Sequence, residues 1–119
     1  MKLRRRGFDG DAVAATIERL KERHYLDDVA HSRSLVGRRA GGRGRALIAA
    51  ELAALGIGRE AAEEALSELS LETELETAKK MAARWPGLDA ASIAARLRRR
   101  GFAGSVIRAA IIAAPSQRA

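Results

Sequence analysis

Apolar residues along this chain recur at helical spacing around three glycines, Gly7, Gly56 and Gly101. Apolar positions lie eight and four residues before a glycine, and six, ten and thirteen residues after it. These offsets place apolar side chains on one face of a helix before the glycine and on one face of a helix after it. The glycines are 49 and 45 residues apart, a spacing typical of helical repeats. The pattern therefore predicts duplicated pairs of amphipathic helices.

Each glycine marks the point where one helix stops and the next begins. Glycine adopts the left-handed conformation just past a helix end without a Cβ clash. The next residue is Phe8, Ile57 or Phe102, and its apolar side chain can fold back against the last turn. Each copy predicts a helix, a tight glycine turn, an apolar clamp and a second helix.

A further helix is expected between the copies. Asp27 can cap a helix that runs to about Arg39, and a second connecting helix runs from about Leu71 to Arg84 and ends at the following Pro-Gly pair. Runs of alternating apolar and polar residues are missing from the sequence, and β-branched residues are sparse. The predicted fold is all-α, with tandem three-helix repeats forming a short curved solenoid.

This pattern divides the chain into repeats. We expect a partial first repeat over residues 1–25, a second repeat over 26–69, a third over 70–114 and a frayed tail over 115–119. Apolar residues make up 47% of the chain, but only 3% of residues are aromatic, so each repeat alone buries little. Stability must then come partly from stacking between neighbouring repeats.

Composition also restricts the function classes. The chain has no cysteine, which excludes disulfides, thiolate catalysis and cysteine-ligated zinc. No stretch is long and apolar enough to span a membrane, and no apolar segment follows the basic start. We therefore expect a soluble cytoplasmic protein that makes no membrane contact.

The net charge of +7 is unevenly distributed. Residues 1–23 and 27–45 each carry +3, residues 51–76 carry −7, and residues 77–119 carry +8. A surface with opposed patches suits a partner that presents both protein and phosphate better than it suits naked nucleic acid.

Two identical arginine triplets, residues 4–6 and 98–100, precede the first and last glycines. Cations in the last turn of a helix face the negative end of its dipole, which explains any single arginine. Two copies of the triplet favour a binding role as well, because the planar guanidinium matches phosphates and carboxylates. The turn over residues 37–45 adds four arginines among glycines, but it lacks the pattern of a nucleotide-phosphate loop. The candidate contact residues are Arg4, Arg5, Arg6, Arg38, Arg39, Arg43, Arg45, Arg98, Arg99 and Arg100.

Signs of metal binding or catalysis are weak. Asp27 and His31 are four residues apart, but one histidine and one carboxylate make an incomplete metal site. No serine, histidine and acid combination can be placed in one site, and no cofactor is implied. Two of the four aromatic residues, Phe8 and Phe102, are already explained as clamps. Few aromatic rings are therefore left to stack on the bases of a single-stranded nucleic acid. A protein that is not an enzyme is the better hypothesis.

Several short motifs occur in a fixed order along the chain. They are the Arg-Arg-Gly-Phe string, the helix ending at residues 18–20, residues 25–28, residues 48–52, 56–57 and 64–66, and the closing residues 97–102. Together they give the chain a resemblance to the RecX family of recombinase regulators. The resemblance covers almost the whole chain. It implies tandem three-helix repeats and a modulator, usually an inhibitor, of the RecA recombinase. Such proteins lie in the groove of the RecA filament on DNA and hinder filament growth, ATP hydrolysis and strand exchange.

Carried onto this sequence, the resemblance implies that the candidate arginines contact the RecA filament. Their contacts with the DNA of the filament would be made to its phosphates. Against the family pattern the chain opens within the second helix of the first repeat, so we expect that repeat to be incomplete. Leu3, Val13 and Ile17 would then lose part of their packing surface. An exposed apolar strip predicts fraying of the first helices or self-association.

Two other interpretations remain open. A small basic DNA-binding protein with helix-turn-helix-like elements would use the glycine turns and the net charge, although the acidic stretch 51–76 would be repelled by duplex DNA. An inert helical scaffold explains the repeats but not the doubled arginines.

Overall fold

The computed structural model describes residues 10–113 as six α-helices. They are α1 (Gly10–Arg39), α2 (Arg45–Ala54), α3 (Arg59–Leu66), α4 (Leu71–Ala83), α5 (Ala90–Arg99) and α6 (Gly104–Ile112). These residues contain no strand, so the all-α prediction is confirmed. The first arginine triplet, the Gly7 turn and the tail over residues 115–119 lie outside the described residues.

The helices pack as two three-helix units with separate cores. Unit A consists of the second half of α1 with α2 and α3, and unit B consists of α4, α5 and α6. Ile48 and Leu52 on α2 are fully buried, as are their counterparts Ile93 and Leu97 on α5. The predicted repetition of three-helix units is therefore confirmed.

The two glycine turns have the same geometry. Gly56 and Gly101 have φ angles of 82° and 93°, in the left-handed region that favours glycine. In both turns the glycine N–H donates to the carbonyl three residues earlier (3.0 Å), and the next N–H donates to the carbonyl five residues earlier (3.2 Å). This is the Schellman arrangement. Ile57 and Phe102 are buried beside it, as the clamp prediction requires.

One prediction about helix α1 is wrong. Asp27 does not cap a helix, because α1 runs without interruption from Gly10 to Arg39. Residues 11–36 contain neither glycine nor proline, and an aspartate inside a helix costs only a fraction of a kcal/mol, about 0.7 at most. The expected division at residues 25–26 therefore falls inside one helix. The second connecting helix is confirmed as α4.

The molecule is elongated, with extents of 79 × 21 × 20 Å and a radius of gyration of 21.4 Å. A compact domain of this length would have a radius of gyration of about 13 Å. Ile17 and Leu20, on the first half of α1, are 46% and 62% exposed. The apolar strip predicted from Ile17 is therefore uncovered, whereas fraying and self-association stay predictions.

The units meet where the turn before α2 touches the end of α5. The Gly44 N–H donates to the Arg100 carbonyl (2.7 Å), and the Ala46 N–H donates to the Gly101 carbonyl (3.2 Å). A Cβ on Gly44 would lie 2.4 Å from the Gly101 oxygen, and a Cβ on Gly101 would lie 2.5 Å from the Leu47 Cβ. Only glycine at both positions permits this approach, so the two glycines fix how the units stack.

Ser32 shows that the helix crossing in unit A needs a small side chain. It is fully buried, and its hydroxyl has no hydrogen-bond partner among the described residues. Ala78 is equally buried in α4, and each of the two residues is followed by buried apolar residues three and four positions later. The site thus requires small volume and not a hydroxyl.

We therefore expect Ser32→Ala to preserve or raise stability, by up to about 1 kcal/mol, because it removes an unsatisfied buried polar group. Urea unfolding measures the change. Ser32→Val is the control and should destabilise the protein through overpacking. A loss of more than about 1 kcal/mol in Ser32→Ala would reveal a hydrogen bond of that hydroxyl.

Candidate partner-binding surface

The described candidate arginines fall into two groups. Arg39, Arg43 and Arg45 bind carboxylates of the same chain. The side chains of Arg38, Arg98 and Arg99 are exposed and make no ion pair within residues 10–113. The side chain of Arg100 only reaches the Gly42 carbonyl, at 3.5 Å. Sequence spacing alone did not distinguish these groups.

Glu51 of α2 binds Arg39 and Arg43 on either side of the turn that joins α1 to α2. The Arg39 Nε and Nη2 donate to the carboxylate at 3.0–3.2 Å, and the Arg43 Nη1 donates at 2.6 Å. The hydrogen bond from Arg39 is the main reason that the pKa of Glu51 is lowered, and Arg43 contributes to it. The same bond raises the pKa of Arg39. A phosphate would have to compete with Glu51 for both guanidinium groups.

Replacing Glu51 by glutamine should destabilise the protein at neutral pH, because two arginines lose their shared anion. The folded-state pKa of Glu51 is depressed, so its contribution is present at neutral pH and is lost as the pH falls below about 4.5. Urea unfolding of both proteins at pH 7 and pH 3 measures this. The difference in the free energy of unfolding between the two proteins should shrink at the lower pH. A difference that does not change with pH would show that the ion pairs of Glu51 contribute nothing to stability.

Arg45 connects unit A to unit B through Glu74 of α4. The Glu74 carboxylate accepts the backbone N–H of Arg45 at 3.2 Å, and the Arg45 Nε lies 3.6 Å from it. The Arg45 Nη2 also donates to the Leu69 carbonyl (2.7 Å). Gly44 provides no side-chain cap for α2, so the buried Glu74 supplies the anion that a helix N-terminus favours. Arg45 therefore stabilises the joint between the units.

Side chains of the acidic stretch 51–76 also have a structural role. Tyr25 donates to Glu64 (2.8 Å), which raises the pKa of Tyr25. Arg33 donates to Glu68 (2.6 Å) and lies 3.8 Å from Glu64. These contacts attach α3 to α1. Glu64 and Glu68 of the acidic stretch 51–76 thus help to hold the helices together.

Sequence reasoning missed one site beside Trp85. The Arg96 guanidinium lies over the indole ring, 5.2 Å from its centroid. Arg99 and Arg100 complete the lining of a cleft with a volume of about 270 Å³. Positions 96, 99 and 100 share a helical face because residues three and four apart are neighbours on a helix, and this spacing could have indicated the cluster. The position of Trp85 beside that face could not be predicted from local sequence.

The residues suspected of metal binding do not assemble into a site. Residues 10–113 contain no group of three metal-ligating side chains, so Asp27 and His31 belong to none. The other histidine, His24, pairs with Asp28, and its Nε2 lies 3.3 Å from that carboxylate. Across the described residues, no helix is both long and apolar enough to cross a membrane.

Comparison with known proteins finds a family resemblance in unit A. The family model described as RecX, second three-helix domain, matches residues 27–66. This range coincides with unit A, from the second half of α1 to the end of α3. No curated protein and no solved structure matches the chain. The predicted resemblance to the RecX family is confirmed over residues 27–66, which match its second three-helix domain.

Proposed function

We propose that this protein regulates the RecA recombinase, as an inhibitor bound in the groove of the RecA–DNA filament. Bound there, it hinders filament growth, ATP hydrolysis and strand exchange, and so acts in recombination, DNA repair and the SOS response. It does so in the cytoplasm and without catalysis of its own. The observation that carries the proposal is the match of unit A to a RecX domain, which supports a RecA-regulating role at the level of the family.

The shape and charge of the molecule are consistent with a groove-binding role. A rod about 20 Å thick and 79 Å long can follow a groove over a large contact area. Its exposed arginines can meet DNA phosphates or carboxylates of the recombinase. The first triplet, Arg4–Arg6, and the carboxylate-bound Arg39, Arg43 and Arg45 stay candidates for the same surface. Self-association through the exposed strip of α1 is a further proposal.

The proposal is tested by sedimentation of preassembled RecA filaments on single-stranded DNA. We expect the chain to sediment with the filaments and to remain in the supernatant with equal amounts of free RecA. Binding to the bare DNA should be weaker and should decline steeply with salt. Equal binding to bare DNA and to filaments would refute a regulator that recognises the filament.

The alternative is a small basic DNA-binding protein with helix-turn-helix-like elements. Its support is the tight glycine turn and the net charge of +7. In unit A the helix after the turn is α3, which carries Glu60, Glu63 and Glu64 against Arg59. In unit B the corresponding α6 carries only Arg108. Neither helix has the basic, amide-rich face that reads base edges in the major groove, so the filament regulator is preferred.

A further inference from the structure

The cleft beside Trp85 combines an aromatic platform with three guanidinium groups. Trp85 lies in the turn after α4 and is partly exposed. Arg96 stacks over its ring, and the adjoining wall is formed by Arg99, the last residue of α5, and Arg100, which follows it. One side of the cleft is thus suited to a flat ligand and the other to an anion.

The positive charge around this cleft is not balanced within unit B. Over residues 71–113 the chain has eight basic side chains and four acidic ones, Glu72, Glu74, Glu76 and Asp89. Asp89 caps α5 by accepting the Ser92 N–H at 2.8 Å, which also lowers the pKa of Asp89. Arg96 and Arg99 make no ion pair among the described residues. An anion entering the cleft would therefore meet guanidinium groups that no carboxylate of the described residues already binds. Arg39 and Arg43, in contrast, are bound by Glu51.

The combination of groups selects among anionic ligands. An acidic peptide would pair with the arginines but would leave the indole unused. Duplex DNA would offer phosphates, but its bases are stacked inside the helix and cannot reach Trp85. A single strand offers a phosphate and an unstacked base in neighbouring positions, and bases stack readily on aromatic rings and guanidinium planes.

We propose that the cleft formed by Trp85, Arg96, Arg99 and Arg100 binds one nucleotide unit of single-stranded DNA. Arg99 and Arg100 hold the phosphate, and the base stacks on the Trp85–Arg96 pair. The inference deepens the proposed function by naming which part of the chain meets the single strand in the filament. It is nevertheless tested on this chain and DNA alone.

Trp85 is the sole tryptophan of the chain, so its fluorescence reports on the cleft directly. A short oligothymidylate should quench this fluorescence on titration. An abasic oligomer of equal length should bind about fivefold to a hundredfold more weakly, because one stacked base is lost. It should also leave the fluorescence nearly unchanged. A duplex of equal length should cause little quenching.

Variants separate stacking from general charge attraction. Arg99→Glu should weaken oligothymidylate binding by about tenfold or more. Arg59→Glu is the matched control, because this arginine is 91% exposed on α3 of unit A, and it should bind as the unaltered chain does. In Trp85→Leu, fluorescence anisotropy of a labelled oligomer replaces the lost signal. This variant should bind the thymidylate and abasic oligomers equally, and circular dichroism verifies that each variant is folded.

Equal affinity of the unaltered chain for thymidylate and abasic oligomers would overturn the proposed site. Absence of quenching by oligothymidylate, or unchanged binding in Arg99→Glu, would do the same. None of these results bears on whether the chain binds RecA filaments. Conversely, failure to bind filaments would leave the nucleotide site standing if the fluorescence results hold.

Discussion

Replacing Gly101 by alanine is expected to cost about 2–5 kcal/mol of the free energy of unfolding. A non-glycine residue in the left-handed region costs about 1–2 kcal/mol, and Gly101 has a φ of 93°. The added methyl would also lie 2.5 Å from the backbone nitrogen and Cβ of Leu47, and such overpacking adds about 1–3 kcal/mol. The midpoint of urea unfolding measures the loss.

Gly56→Ala provides the matched control for this effect. Gly56 has a similar φ of 82°, but nothing lies within 4 Å of its missing Cβ. Only the conformational cost of about 1–2 kcal/mol is expected there. Equal losses at the two positions would mean that the close approach of Gly44 and Gly101 does not hold the units together.

Reversing the charge of Arg98, Arg99 and Arg100 together is expected to weaken binding to RecA filaments by about a hundredfold or more. Each hydrogen bond to a charged group contributes about 1.5–3 kcal/mol, and a tenfold change in affinity corresponds to about 1.4 kcal/mol. The fold should survive, because Arg98 and Arg99 have no internal partner among the described residues and the Arg100 side chain makes only a 3.5 Å contact. Filament binding is measured by fluorescence anisotropy of the labelled chain.

The control for the triple variant reverses Arg19 and Arg59, which are exposed on α1 and α3. Filament binding should change little in this variant. If the triple variant bound as well as the control, the second triplet would serve only the electrostatics of the helix end. A loss shared by both variants would indicate attraction to net charge and not a defined surface.

The local features of the fold could be predicted from the sequence because their causes are local. A glycine four residues after a buried leucine and followed by Ile57 or Phe102 is sufficient to specify a Schellman turn. The helical spacing of Ile48 and Leu52, repeated at Ile93 and Leu97, is sufficient to place the cores. The continuity of α1 was missed because Asp27 suits a helix start as well as an exposed position inside a helix.

The binding surface was less predictable because its contacts are between residues distant in sequence. Arg45 binds Glu74, which is 29 residues away, and no local pattern links the two. Arg39 and Arg43 look identical to Arg38 in the sequence, yet only they reach Glu51. The contact of Gly44 with Gly101 also depends on how the units stack. Trp85 becomes part of a cleft only once α5 lies beside it.

The most direct test of RecA regulation is RecA's ATP hydrolysis on single-stranded DNA, measured with the chain present at far less than one copy per RecA. We expect hydrolysis to fall by far more than the proportion of RecA occupied, because one bound molecule stops the growth of a whole filament. Filaments should become shorter in parallel when seen by electron microscopy. Unchanged hydrolysis and filament length, together with tight, salt-sensitive binding to bare DNA, would contradict the regulation of RecA and favour the DNA-binding alternative.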